Sequence, residues 1–147
     1  MTSSTRLPFG TALALAQRTL AAPLTAVLQA ERVSPPEWFA LNALGLRGPS
    51  PVAALAALLA TNGLDAAAVD GLLAGLARSG TVELHDGAAG LTPAGAARYA
   101  ELRDRIGAVT TRIFAQFDPD RVETARGLLE EIAALDPDEL TRRTVAR

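Results

Sequence analysis

Five side chains suited to holding a small molecule fall into two windows of this sequence: Trp38, Phe39 and Asn42 in one, Tyr99 and Arg103 in the other. Aromatic walls beside an amide and a guanidinium suit an aromatic or carboxylated ligand, if the two windows meet in space. The plainer reading makes Trp38 and Phe39 core residues and Arg103 a surface charge. Two more arginines stand where they would touch phosphate: Arg47 in a loop and Arg78 at the end of a helix. Arg78 would equally complement the negative end of its own helix, and Arg47 would equally be ordinary loop solvation. His85 is the sole histidine. It follows a short β-prone run and precedes Asp86, where a solvated residue is expected. No His/Asp/Glu spacing makes a metal site around it, so no metal and no cofactor are expected. No glycine-rich phosphate loop and no nucleophile elbow is present, which points away from an enzyme.

The whole composition narrows the class. The chain has 147 residues, 49% hydrophobic and 20% charged, with a net charge of −2. That is enough for one domain with a real core, and bulk charge gives no sign of a polyanion binder. There is no cysteine, so disulfides and thiol chemistry are excluded. The N-terminus lacks the pattern of a signal peptide, and no run reaches ~18 uninterrupted apolar residues. A cytoplasmic protein with no membrane span is the expectation.

The elements that must position these residues are mostly helical. Residues 1–7 read as a flexible tail. A wide apolar face, Phe9, Leu13, Ala16, Leu20, Leu24, Val27 and Leu28, predicts a helix over 8–32. Pro23 should kink or split it, because it removes an amide and crowds the preceding turn. Ser34-Pro35-Pro36-Glu37 is a capping box with proline in the first turn, opening a helix over 36–44. Residues 45–50 read as a loop. After the central stretch, Thr92-Pro93 opens the longest helix, to about 117. Its charges, Arg98, Glu101, Arg103, Asp104, Arg105 and Arg112, read as a solvated face. Asp118-Pro119-Asp120 starts the next helix. Asp136-Pro137-Asp138 should break it, leaving Arg142, Arg143 and the rest of 142–147 as a basic tail.

The central stretch, 50–92, has the order of a reader of double-stranded DNA. A helix over 51–60 leads through Thr61-Asn62-Gly63 to a second helix over 66–78, with Asp65 as N-cap. Val69, Leu72, Leu73 and Leu76 make its buried stripe. A β-prone run, 81–85, turns at Asp86-Gly87 and returns through 90–92. Helix, turn, helix and ribbon describe a winged helix-turn-helix. The class is mainly α with a small two- or three-stranded β wing. The outward face of the second helix, however, offers Ala66, Ala67, Asp70, Gly71 and Ala74. None of these makes the bidentate hydrogen bonds that read base edges. Across 50–92, Arg78 stands against Asp65, Asp70, Glu83 and Asp86, a net of −3.

Three segments then carry a resemblance to the MarR (multiple antibiotic resistance regulator) family: 34–44, 52–56 and 68–80. Leu91-Thr92-Pro93-Ala94-Gly95 looks like that family's return from the wing into its long helix. The resemblance spans about 9–135. It implies a homodimer with interdigitated terminal helices, two winged lobes on DNA, and a small aromatic or phenolic ligand in a cleft between the dimer helices and the lobe. It places DNA contact at Arg47, Asp65, Ala66, Ala67, Asp70 and Arg78. It places ligand contact at Trp38, Phe39, Asn42, Tyr99 and Arg103. The implied plan is a tail (1–7), N-terminal helices (8–46), the winged lobe (47–92), C-terminal dimerisation helices (93–141) and the basic tail (142–147). The family's wing usually carries an Asp-Arg pair; here Asp86-Gly87-Ala88-Ala89-Gly90 has no arginine. A second expectation therefore stands beside the first: the same fold with DNA binding lost, holding or transforming a small molecule in the cleft.

Overall fold

The computed structural model describes residues 6–146. Residues 1–5 of the expected N-terminal tail, and Arg147 of the expected basic tail, lie outside the described residues. The chain divides within its fifth helix into two compact units, one ending at Val109 and one beginning at Thr110.

In the first unit, α1 (Phe9–Ala30) is one continuous helix with Pro23 inside it. The expected split does not occur. α2 (Pro35–Arg47) starts as its sequence requires: Ser34 accepts from the Glu37 amide, and the Glu37 side chain accepts from the Ser34 amide. It does not stop at 44, because Gly45 is needed within it. A Cβ on Gly45 would lie 2.2 Å from Cε1 of Tyr99, so the Tyr99 ring rests directly on the α2 backbone. Spacing alone reads such a glycine as a loop.

The winged lobe follows. β1 (Ser50–Pro51), α3 (Val52–Ala60), α4 (Ala66–Arg78), β2 (Val82–His85) and β3 (Ala88–Leu91) come in that order. The antiparallel sheet has the order β1-β3-β2, with Ser50 opposite Ala89, Val82 opposite Leu91 and His85 opposite Ala88. Asp86 and Gly87 both take positive φ, 51° and 74°. That is the two-residue turn whose twist matches a hairpin. The return strand therefore starts at Ala88, two residues earlier than the sequence suggests. Asp65 Oδ1 accepts from the Ala68 amide at 2.7 Å and fixes the start of α4.

Two cores hold the unit together. Ala40, Ala43 and Leu44 of α2 pack with Leu55 and Leu59 of α3, Val69, Leu73 and Leu76 of α4, and Val82 and Ala89 of the sheet. The opposite side of α2 packs Trp38 and Leu41 against Leu28 of α1 and Tyr99 and Leu102 of α5 (Pro93–Phe114). The wing is tied to α5 at one residue. Thr92 donates its hydroxyl to the carbonyls of Gly80 and Thr81, and that oxygen accepts from the Gly95 amide. A Cβ on Gly95 would stand 1.9 Å from the Thr81 carbonyl oxygen.

The second unit holds α6 (Pro119–Ala133) and α7 (Pro137–Val145). Asp118 accepts from the Asp120 amide, and Asp136 accepts from the Asp138 amide. The second Asp-Pro-Asp thus starts a helix, as the first does, and 142–145 belong to α7 rather than to a tail. Neither helix buries a residue. In α1 only Leu28 is buried, and by length and composition α1 is apolar enough to cross a membrane. No uninterrupted apolar run marks α1 in the sequence, because Thr11, Gln17, Arg18 and Thr19 interrupt it.

The two close approaches are testable. Gly45→Ala and Gly95→Ala should each destabilise the protein by about 1–3 kcal/mol in urea unfolding, the cost of overpacking. Gly107→Ala, which meets nothing within 4 Å, should instead be neutral or stabilise by up to ~1 kcal/mol.

Candidate nucleic-acid interface and aromatic cluster

The outward side of α4 is open. Ala66, Ala67 and Asp70 are exposed, and Asp65 is committed to capping. Arg78 lies in the last turn of α4, exposed, where it complements the negative helix end. Arg47 sits not in a loop but in the last turn of α2. It too is exposed, at the rim of a shallow groove with Ser50, Ala54 and Leu58, and neither arginine has an ion pair among the described residues. At the wing tip, His85 Nε2 lies 3.2 Å from Asp86 Oδ2, with both side chains almost fully in solvent. Leu84 is also exposed there. The lobe therefore offers an exposed helix in a helix-turn-helix with exposed arginines at the ends of α2 and α4, and no side chain among Ala66, Ala67 and Asp70 that makes the bidentate bonds reading a base.

The two windows of recognition residues do meet. The rings of Trp38 and Tyr99 stack with centroids 5.9 Å apart and planes 22° from parallel. Tyr99 donates its hydroxyl to Asn42 Oδ1 at 3.3 Å. The Arg103 guanidinium carbon is 5.8 Å from the Tyr99 ring centre. Trp38 and Tyr99 are 7% and 6% exposed, so the pair is a floor packed into the core. Arg103 is largely exposed above it and reaches only Asp104, at 3.8 Å. Phe39 is half-buried and packs against both cores. Four of the five residues thus form one cluster, and Phe39 supports it from the side.

The charged face of α5 is exposed as expected at Glu101, Arg103, Asp104, Arg105 and Arg112, but Arg98 is half-buried. Arg98 and Arg105 both converge on Glu31, at the end of α1, whose side chain is 11% exposed. Arg98 also donates to the Glu31 backbone carbonyl at 2.7 Å, closing the end of α1. Glu101 completes the cluster through both arginines. Sequence separations of 67 and 74 residues carried no signal of this. Among the described residues, no group of three or more His, Cys, Asp or Glu side chains is placed to hold a metal.

A helix-turn-helix closed by a three-stranded wing defines a winged helix-turn-helix protein. No family model matches the chain, and no curated protein matches it. Solved structures do. NadR in complex with 4-hydroxyphenylacetate is 19% identical, with a TM-score of 0.72 over 92% of this chain and 99% of that one. A Mycobacterium tuberculosis MarR-family protein in complex with DNA is 21% identical, with a TM-score of 0.74 over 88% and 100%. A probable transcriptional regulator from Pseudomonas aeruginosa is 25% identical, with a TM-score of 0.60 over 81% and 95%. The fold is that of the MarR-type regulators, as the sequence resemblance implied.

Removing the Tyr99 hydroxyl in Tyr99→Phe should cost about 0.5–1.5 kcal/mol, the usual net value of a hydrogen bond. Glu31→Gln removes the more buried of the two carboxylates that Arg98 and Arg105 share and should cost about 1.5–3 kcal/mol. Urea unfolding followed by Trp38 fluorescence measures both.

Proposed function

We propose that this chain is a homodimeric, DNA-binding transcription regulator of MarR type, modulated by a small hydrophobic or aromatic ligand and acting in the cytoplasm. The observation that carries the reading is the uncovered α4, held by α3 and the wing in a lobe whose fold is shared with a protein solved on DNA. Arg47, at the end of α2, and Arg78, at the end of α4, are the phosphate contacts beside the exposed Ala66, Ala67 and Asp70. Asp65 serves by setting where α4 begins. Specificity then rests on DNA shape and backbone contacts more than on base edges. The ligand sits over the Trp38–Tyr99 floor, with Asn42 and Arg103 as its polar partners and Phe39 as a wall. The complex of NadR with a small aromatic acid supports that chemistry.

Dimerisation follows from what each unit leaves uncovered. α1 exposes Phe9, Leu13, Leu15 and Leu20; the second unit exposes Leu128, Leu129, Ile132, Leu135 and Leu140. Within the second unit, Phe114, Phe117, Val122, Ala125 and Leu129 line an open apolar groove of ≈ 340 Å³. Apolar surface on this scale marks an interface, and a twofold pair of copies covers it. A membrane would cover α1 as well, but Gln17 and Arg18 sit within it.

One observation favours a second reading. Asp70, Glu83 and Asp86 are all exposed on the lobe, and the wing tip carries no arginine. Phosphate contacts supply much of the affinity for DNA, so this charge works against it. In that reading the lobe is a retained scaffold, and the aromatic cluster is the functional site, for binding or transforming its ligand.

Titration against the DNA flanking the gene, beside a scrambled duplex and at several salt concentrations, separates the two readings. The regulator binds its own flanking DNA selectively, and 4-hydroxyphenylacetate changes the affinity. Arg78→Ala lowers the salt slope by about one, the loss of a single phosphate contact. Affinity equal to that for the scrambled duplex at low salt selects the second reading. Sedimentation at micromolar concentration should give twice the chain mass, and Leu13→Glu with Leu129→Glu should shift it to monomer. A wild-type monomer overturns the dimer.

A further inference from the structure

A second concavity lies apart from the aromatic cluster, behind α4. It is a groove of ≈ 380 Å³ between the inner edge of α4, the turn joining α1 to α2, and the start of α5. That volume falls in the range of small-molecule sites. Half-buried Leu72 supplies an apolar wall, with the buried Leu41 and Leu76 beneath it. Gly71 and Gly75, one turn apart on α4, keep the groove open. A Cβ on Gly71 would meet nothing within 4 Å, and one on Gly75 would meet only an Arg78 nitrogen, at 4.0 Å.

The polar wall carries both signs. Arg32 is exposed, has no ion pair among the described residues, and is held at a positive φ of 58°. Glu37 has no ion pair among them either; one of its oxygens accepts from the Ser34 amide at 3.3 Å, closing the capping box. The two line the same groove and do not pair with each other. Arg98, the other cation on this wall, is already engaged by Glu31 and Glu101. Arg32 and the second carboxylate oxygen of Glu37, neither ion-paired among the described residues, stand beside an apolar wall and match a molecule with the same three parts.

We propose that this groove is a binding site for a zwitterion with an apolar body, of the class of aliphatic α-amino acids. The carboxylate pairs with Arg32, the ammonium with Glu37, and the side chain covers the Leu72 wall. Two opposite charges satisfied together distinguish such a ligand from a fatty acid or an amine, each of which leaves one wall charge unpaired. The site stands whether or not the lobe reads DNA.

The test is calorimetric titration of the full chain with L-leucine, 4-methylpentanoate and 3-methylbutylamine, compounds with similar apolar bodies and different charges. Leucine should bind saturably, and each single-charge compound at least ~tenfold more weakly. Arg32→Asn removes the charge with a residue that tolerates positive φ, and Glu37→Gln keeps an acceptor for the Ser34 amide. Each should weaken leucine by ~tenfold or more. Gly75→Leu fills the groove and should abolish binding without lowering the unfolding midpoint. No saturable leucine binding at millimolar concentration overturns the proposal. So does 4-methylpentanoate binding as well as leucine, or leucine binding that Gly75→Leu leaves unchanged.

Discussion

The Tyr99 ring lying against the bare backbone of Gly45 is the contact on which the rest of the structure depends. It sets how closely α5 approaches α2, and α2 is the helix that both cores share. One side of α2 sends Ala40, Ala43 and Leu44 into the winged lobe; the other sends Trp38 and Leu41 towards α1 and α5. A side chain at 45 would push α5 away. The Trp38–Tyr99 stack, the Asn42 hydrogen bond and the placement of Arg103 would shift together. Interiors packed at the density of organic crystals transmit such a displacement instead of absorbing it.

A second close approach carries this geometry to the lobe. Gly95 lets the first turn of α5 touch the Thr81 carbonyl, and the Thr92 hydroxyl binds the end of α4 to the start of α5. The aromatic cluster and the outward face of α4 are therefore joined by short, stiff connections. Glu31 adds an electrostatic joint, clamping the end of α1 to α5 through two arginines.

Charge and shape pull in different directions in the lobe. Its architecture presents α4 to solvent, yet the front of that helix is alanine and aspartate, and Arg78 stands only in its last turn. A helix made largely of alanine, glycine and leucine packs closely on α3 and lacks the long polar side chains that reach base edges. The same small residues open the groove behind α4. One compositional choice thus weakens readout at the front and leaves room at the back.

The sequence by itself determined much of what acts within about four residues. The Ser34–Glu37 capping box, the Asp65 cap, the Asp86-Gly87 turn and the 3.6-residue stripe of α4 were all legible, because donor, acceptor or apolar partner sits at a set local spacing. That was enough to identify the winged helix-turn-helix and its order. The helical start at Asp136-Pro137-Asp138 obeys the same local rule as Asp118-Pro119-Asp120, so α7 was legible in principle. Only the tertiary structure decided the rest. That Gly45 continues a helix, that β1 joins the wing, and that Glu31 gathers arginines from 67 and 74 residues away depend on how helices approach each other in space. Such contacts leave no periodic trace, because the partner's position is set by packing and not by spacing along the chain.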